Sequence, residues 1–146
     1  MAPRQPGSYV LILRLARPVP VEVGRLGRFT FAPGWYGYAG SALGPGGLAA
    51  RVQRHLRAQK AQHWHIDYLR AHATPTAVWY TIGQQRRECR WADVLSELPG
   101  AWIPAPRFGA SDCHCPTHLV GYPTRPRFSV FSHHLSAQVV KETFDA

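Results

Sequence analysis

The segment "GWYGYAGSALGPGGLAARVQRHLR", residues 34–57, restricts the fold more than any other part of the chain. It places six glycines, two tyrosines and a proline ahead of a run of basic residues. "WYGYAG" (35–40) has the aromatic and small-residue alternation of a short strand, which Gly40-Ser41 ends. Gly44, Gly46 and Gly47 shorten the approach to the next element. Leu48, Val52 and Leu56 recur at helical spacing, so 46–59 reads as an amphipathic helix. Tyr36 and Tyr38, two apart on a strand, project from one face. Arg51 and His55 share a helix face beside the apolar stripe, and Arg54 and Arg57 flank them. A tyrosine-bearing strand must therefore turn tightly into a helix that carries an anion-binding face.

The surrounding sequence supplies the rest of a small α/β domain. "GSYVLILRLA" (7–16) reads as a first, mostly buried strand. Residues 17–33 form a hairpin of two short alternating pieces, with Pro18 and Pro20 indicating an edge position. "HWHIDYLRAH" reads as a short helix broken by Pro75, "TAVWYTI" (76–82) as a strand, and "RRECRWADVLSELPG" as a helix that buries Trp91, Val94, Leu95 and Leu98. Residues 99–146 are loop-rich, with "FSVF" expected as a final strand and "HLSAQVVKETF" as a C-terminal helix. The expectation is one domain over 1–146, a mixed and mainly antiparallel sheet flanked by helices, with the 99–146 tail packed on it.

Composition narrows the function classes. A chain of 146 residues, 45% hydrophobic and 12% aromatic, can bury one real core. Its net charge of +9 points to nucleic acid or another polyanion. Arg outnumbers Lys fifteen to two, which fits bidentate phosphate recognition and equally an Arg-rich codon usage. The N-terminal apolar run is short, is interrupted by Arg14 and lacks a signal-cleavage pattern. No segment approaches the length of a membrane span. Three cysteines, all after residue 88, do not make a disulfide framework, so a reducing cytoplasmic setting is expected.

A tyrosine hydroxyl beside a guanidinium and an imidazole is suited to a phosphodiester: Arg stabilises the developing charge, and a neutral or metal-assisted group handles the proton of water. The competing reading is a solvated basic helix whose tyrosines only pack. Gly7-Ser8-Tyr9, then Tyr38-Ala39-Gly40-Ser41, then Arg51-Val52-Gln53-Arg54-His55 resembles the GIY-YIG nuclease family over roughly residues 7–98. It is most similar to a small prokaryotic branch of that family. The resemblance implies that Tyr9 and Tyr38 position or activate water, Arg51 binds the scissile phosphate and His55 assists proton transfer. It also implies a Glu on a later helix that holds one Mg²⁺ or Mn²⁺, and by position that is Glu88. Ser41, Arg54, Arg57, Arg86 and Arg87 become candidates for nucleic-acid contact, as do Arg14 and Arg90. The implied activity is metal-dependent endonucleolytic hydrolysis of DNA, in preference to RNA. The 17–33 hairpin lies between the two tyrosine strands, an insertion whose entropic cost grows only slowly with length. The family's late Asn has no counterpart, since the chain contains no Asn; Ser111 or Asp112 is the local candidate for that place. A non-catalytic nucleic-acid-binding module on the same fold is the alternative.

A second constellation is "SDCHCPTHL", in which Cys113, Cys115 and His118 join Cys89 of the preceding helix as a candidate zinc set. The alternatives are buried free thiols, a disulfide from Cys89 to Cys113 or Cys115, and a thiol nucleophile with His118 as base. Gly44-Pro45-Gly46-Gly47-Leu48-Ala49 matches a dinucleotide fingerprint in form. Asp67, however, falls on a helix where that motif needs the end of a strand. No Walker lysine follows a glycine-rich loop.

Overall fold

The computed structural model describes residues 2–58 and 60–144. Gln59, at the end of the helix expected over 46–59, lies outside the described residues, as do Met1, Asp145 and Ala146. β1 (Gly7–Leu15) is the centre of a five-stranded sheet. It pairs antiparallel with β4 (Gly34–Ala42) on one side and β5 (Thr74–Ile82) on the other. The edges are β6 (Leu119–Tyr122) beside β4 and β7 (Val140–Thr143) beside β5. β2 (Val19–Val23) and β3 (Gly27–Phe31) make the expected hairpin as a separate two-stranded sheet. Every strand pair among the described residues is antiparallel.

β1 is buried on both faces except at Arg14, which explains its nearly unbroken apolar sequence. Its alternate residues serve two cores. Tyr9, Leu11 and Leu13 face α1 (Gly47–Leu56), α2 (His65–Arg70) and the hairpin. Val10 and Ile12 face α3 (Glu88–Glu97) and α4 (Phe128–His133). On α1 the buried set is Gly47, Leu48, Val52 and His55, while Leu56 is 37% exposed. The helix is thus rotated from the expected stripe, and His55 enters the core.

Two expectations for the tail are reversed. "FSVF" is helical in α4, because Phe128 and Phe131, three apart, both pack against Trp79, edge-on and tilted, with ring centroids at 5.6 and 5.1 Å. "VKET" is strand rather than helix, because the hydrogen-bonding edge of Ala77–Tyr80 is completed by it. The tail therefore contributes both edge strands of the main sheet, β6 and β7.

Candidate active site and a neighbouring cysteine–histidine cluster

Gly40 and Ser41, expected to end the strand, lie inside β4 and pair with Tyr9 and Ser8, and the chain turns only after Ala42. A Cβ at Gly40 would lie 2.6 Å from the Cζ and hydroxyl oxygen of Tyr9, so only glycine lets that ring cross β4. The first N–H groups of α1 do not face solvent: Leu48 and Ala49 donate to the carbonyls of Gln5 and Pro3 at 2.9 and 2.8 Å. The anion-binding potential of α1 lies on its side, at Arg51.

Tyr38, Ser41, Arg51 and Glu88 line one pocket of about 270 Å³, together with Trp64, Arg86 and Asp112. Ser41 is its hinge. Its carbonyl accepts from Arg51 Nη1 at 2.9 Å, and its hydroxyl donates to Glu88. Arg86, largely exposed, stands 3.5 Å from the other Glu88 oxygen. The Arg51 guanidinium lies 4.3 Å from the Trp64 ring centroid and that of Arg54 lies 4.1 Å from it, so the indole carries both cations.

Tyr9 and His55 stand behind this pocket. Their side chains share a 2.6 Å hydrogen bond, and both residues are buried. Burial raises the Tyr9 pKa to about 12, although Arg51 pulls against it. Burial, with Arg51 adding to it, lowers that of His55 to about 3. Burial also raises the pKa of Tyr38. All three are neutral near pH 7, so the phenols act as hydrogen-bonding groups and His55 holds Tyr9.

The flanking arginines divide. Arg54 makes a two-pronged contact with Asp67 at 2.7 and 2.9 Å. Burial works against ionisation of Asp67, but Arg54 and the N–H groups of Trp64 and His63 outweigh it and hold its pKa below the usual carboxylate range. Arg57, Arg86 and Arg90 are exposed, and Arg87 is the residue before α3 and makes no side-chain cap to it. Arg14 lies over Trp35, 5.7 Å from its ring centroid, toward the far end of β1. Trp64, Asp67 and Arg107 were not among the expected site residues. The Asp67 carboxylate at the third position of a short helix was a readable capping signal. Arg107, at φ 67°, had none.

Arg107 organises the second constellation. Its guanidinium donates to the carbonyls of Cys115, Ala110 and Cys113 at 2.5, 2.6 and 2.6 Å and folds residues 110–115 around itself. Cys89, Cys113, Cys115 and His118 meet there, with one potential ligand atom from each inside a 4.8 Å cluster that could hold a metal ion. Cys89 and Cys115 are joined as a disulfide, and Cys113 is a free thiol. Burial lowers the pKa of His118 and favours the neutral imidazole. Gly109, beside this loop, donates its N–H to His65 Nδ1 at 2.7 Å and also lines the pocket.

The sequence model of a family described as a domain of unknown function, DUF123, matches residues 8–140. The chain belongs to that family. No curated protein and no solved structure matches it. Among the described residues, no helix is long and apolar enough to cross a membrane.

Proposed function

We propose that the pocket is the phosphodiester-hydrolysing site of a GIY-YIG-type endonuclease acting on nucleic acid, DNA in preference to RNA. One observation carries the reading: Arg51 and Glu88, on separate helices, meet at Ser41, which bonds to both. Arg51 uses one of its five N–H donors there and presents others to a phosphate. Tyr38 lines the same pocket and orients water, while His55 fixes the Tyr9 hydroxyl behind it. The oxygen donors of Glu88 and Ser41 suit a hard divalent cation, Mg²⁺ or Mn²⁺. Such an ion, when bound, supplies charge stabilisation and acidifies water.

The test is cleavage of labelled single-stranded, duplex and branched DNA, and of RNA, with Mg²⁺ or Mn²⁺. Wild type, Arg51→Ala and Glu88→Ala are purified in parallel. Cleavage by wild type alone is expected. Equal activity in all three preparations refutes the assignment. Salt-sensitive binding without cleavage by any of them selects the second reading, a non-catalytic nucleic-acid-binding module. The lack of any Asn in the chain, where the nuclease family carries a late one, favours that alternative.

The cysteine–histidine cluster is proposed to bind structural zinc, since three thiolates and an imidazole are a soft tetrahedral set. A cytoplasmic location fits thiols kept reduced for metal. Zinc analysis of protein purified without chelator tests this part separately.

A further inference from the structure

The cluster brings together two arrangements that exclude each other. A zinc ion with Zn–S of about 2.3 Å and Zn–N of about 2.0–2.1 Å at tetrahedral angles separates sulfur from nitrogen by about 3.6 Å. His118 Nε2 lies 3.6 Å from Cys89 Sγ and 3.3 Å from Cys113 Sγ, the edges of such a tetrahedron. Yet Cys89 and Cys115 are bonded to one another, with Cα atoms 5.9 Å apart. A disulfide sulfur is not a thiolate ligand, so the bond removes two of four donors. Passing between the states needs little backbone motion: two sulfurs about 2 Å apart in a disulfide sit about 3.8 Å apart on zinc. The Arg107 clamp holds the loop carbonyls rather than the thiols, so it serves both states.

We infer that the Cys89/Cys113/Cys115/His118 cluster is an oxidation-sensitive zinc site, in which formation of the Cys89–Cys115 disulfide expels the metal. The inference rests on the zinc reading above and is independent of the nuclease reading. In the oxidising direction the two thiolates of Cys89 and Cys115 form an S–S bond and give up two electrons. Hydrogen peroxide accepts them, its O–O bond breaks, and with two protons from solvent it leaves as two waters. Zinc leaves as Zn²⁺, and Cys113 and His118 are unchanged. A dithiol reductant reverses the step. The site adjoins the pocket, since Glu88 and Asp112 each precede a cysteine of the cluster and both line that pocket.

The test uses the full chain, purified reduced and without chelator, with zinc measured by elemental analysis. About one zinc per chain is expected. Hydrogen peroxide should then release it to a chromophoric chelator while two thiols disappear. Peptide mass spectrometry should find Cys89 joined to Cys115 and Cys113 still open to alkylation, and dithiothreitol with Zn²⁺ should reload the site. Cys113→Ser, which leaves the disulfide pair intact, should lose tenfold or more in zinc affinity, the scale on which even outer partners of zinc ligands count. It should still form the disulfide. Zinc retained after peroxide, or released with a different pairing, overturns the exchange and leaves the zinc reading standing. Reduced wild type that binds no zinc overturns both.

Discussion

Tyr9 and His55, 46 positions apart, are joined by a 2.6 Å hydrogen bond in the core between β1 and α1. The other ring nitrogen of His55, Nδ1, is buried with no partner among the described residues. The Tyr9 contact is thus the side-chain polar link that holds the imidazole, and it fixes where the phenol points. Tyr9→Phe should strand Nε2 as well and cost about 1–3 kcal/mol, read as a lower urea midpoint. If Tyr9 serves cleavage, activity should fall further than stability explains. His55→Gln, which keeps a hydrogen-bonding partner for the Tyr9 hydroxyl, should retain more of both stability and activity than His55→Ala.

Acid should unfold the protein through the same residue. In the unfolded chain His55 has its ordinary pKa of 6.5, and in the folded one about 3. Below pH 6.5 the unfolded state therefore takes up a proton that the native state refuses. Stability is full above that pH and declines toward pH 3, by roughly 4 kcal/mol at the end of the window. Asp67, whose pKa is depressed in the fold, adds a loss only below the ordinary carboxylate range. Denaturant titrations from pH 7.5 to 3.5 should show the decline in wild type and a much shallower one in His55→Gln.

Ser41 links Arg51 to Glu88, so removing its hydroxyl should matter without touching either charge. Under the nuclease reading, Glu88→Ala should abolish cleavage while leaving oligonucleotide binding intact or tighter, because a carboxylate is removed from a phosphate's path. Ser41→Ala should lower kcat by about tenfold to a hundredfold and raise the Mg²⁺ needed for half-maximal rate. A Ser41→Ala enzyme with wild-type metal dependence would show that the hydroxyl does not orient Glu88.

Arg54 should be a stability residue more than a nucleic-acid contact. Its guanidinium is paired to Asp67, whose side chain has no exposed surface. Arg54→Ala leaves that buried carboxylate with only the His63 and Trp64 N–H groups and should cost about 3 kcal/mol or more. Arg54→Ala combined with Asp67→Asn should be less damaged than the sum of the two singles, a coupling that a double-mutant cycle measures. Arg57→Ala and Arg86→Ala, at exposed positions, should leave the melting temperature unchanged and, under the nucleic-acid reading, reduce the salt dependence of DNA binding by about one counterion each.

Local features were legible in the sequence. The buried strand at 7–16, the hairpin at 17–33, the amphipathic helix after the glycines and the apolar face of α3 all follow from residue type and spacing, whereas Gly40 and Ser41 sit inside β4, which runs on to Ala42. The neighbourhood of Cys113, Cys115 and His118 with Cys89 was also readable, because few residue types carry that chemistry. Tertiary structure decided the rest. The rotation that buries His55 and exposes Leu56 depends on the segments packed above α1, and both faces are chemically acceptable to an isolated helix. Phe128 and Phe131 became helical because Trp79 offers them one aromatic surface. Residues 140–143 became a strand because β5 had an edge to satisfy. Whether Arg54 faced a phosphate or Asp67 was likewise undetermined until the capping carboxylate of α2 arrived beside it. Spacing along the chain encodes periodicity, whereas the partner of a buried charge or an open edge is set by segments distant in sequence.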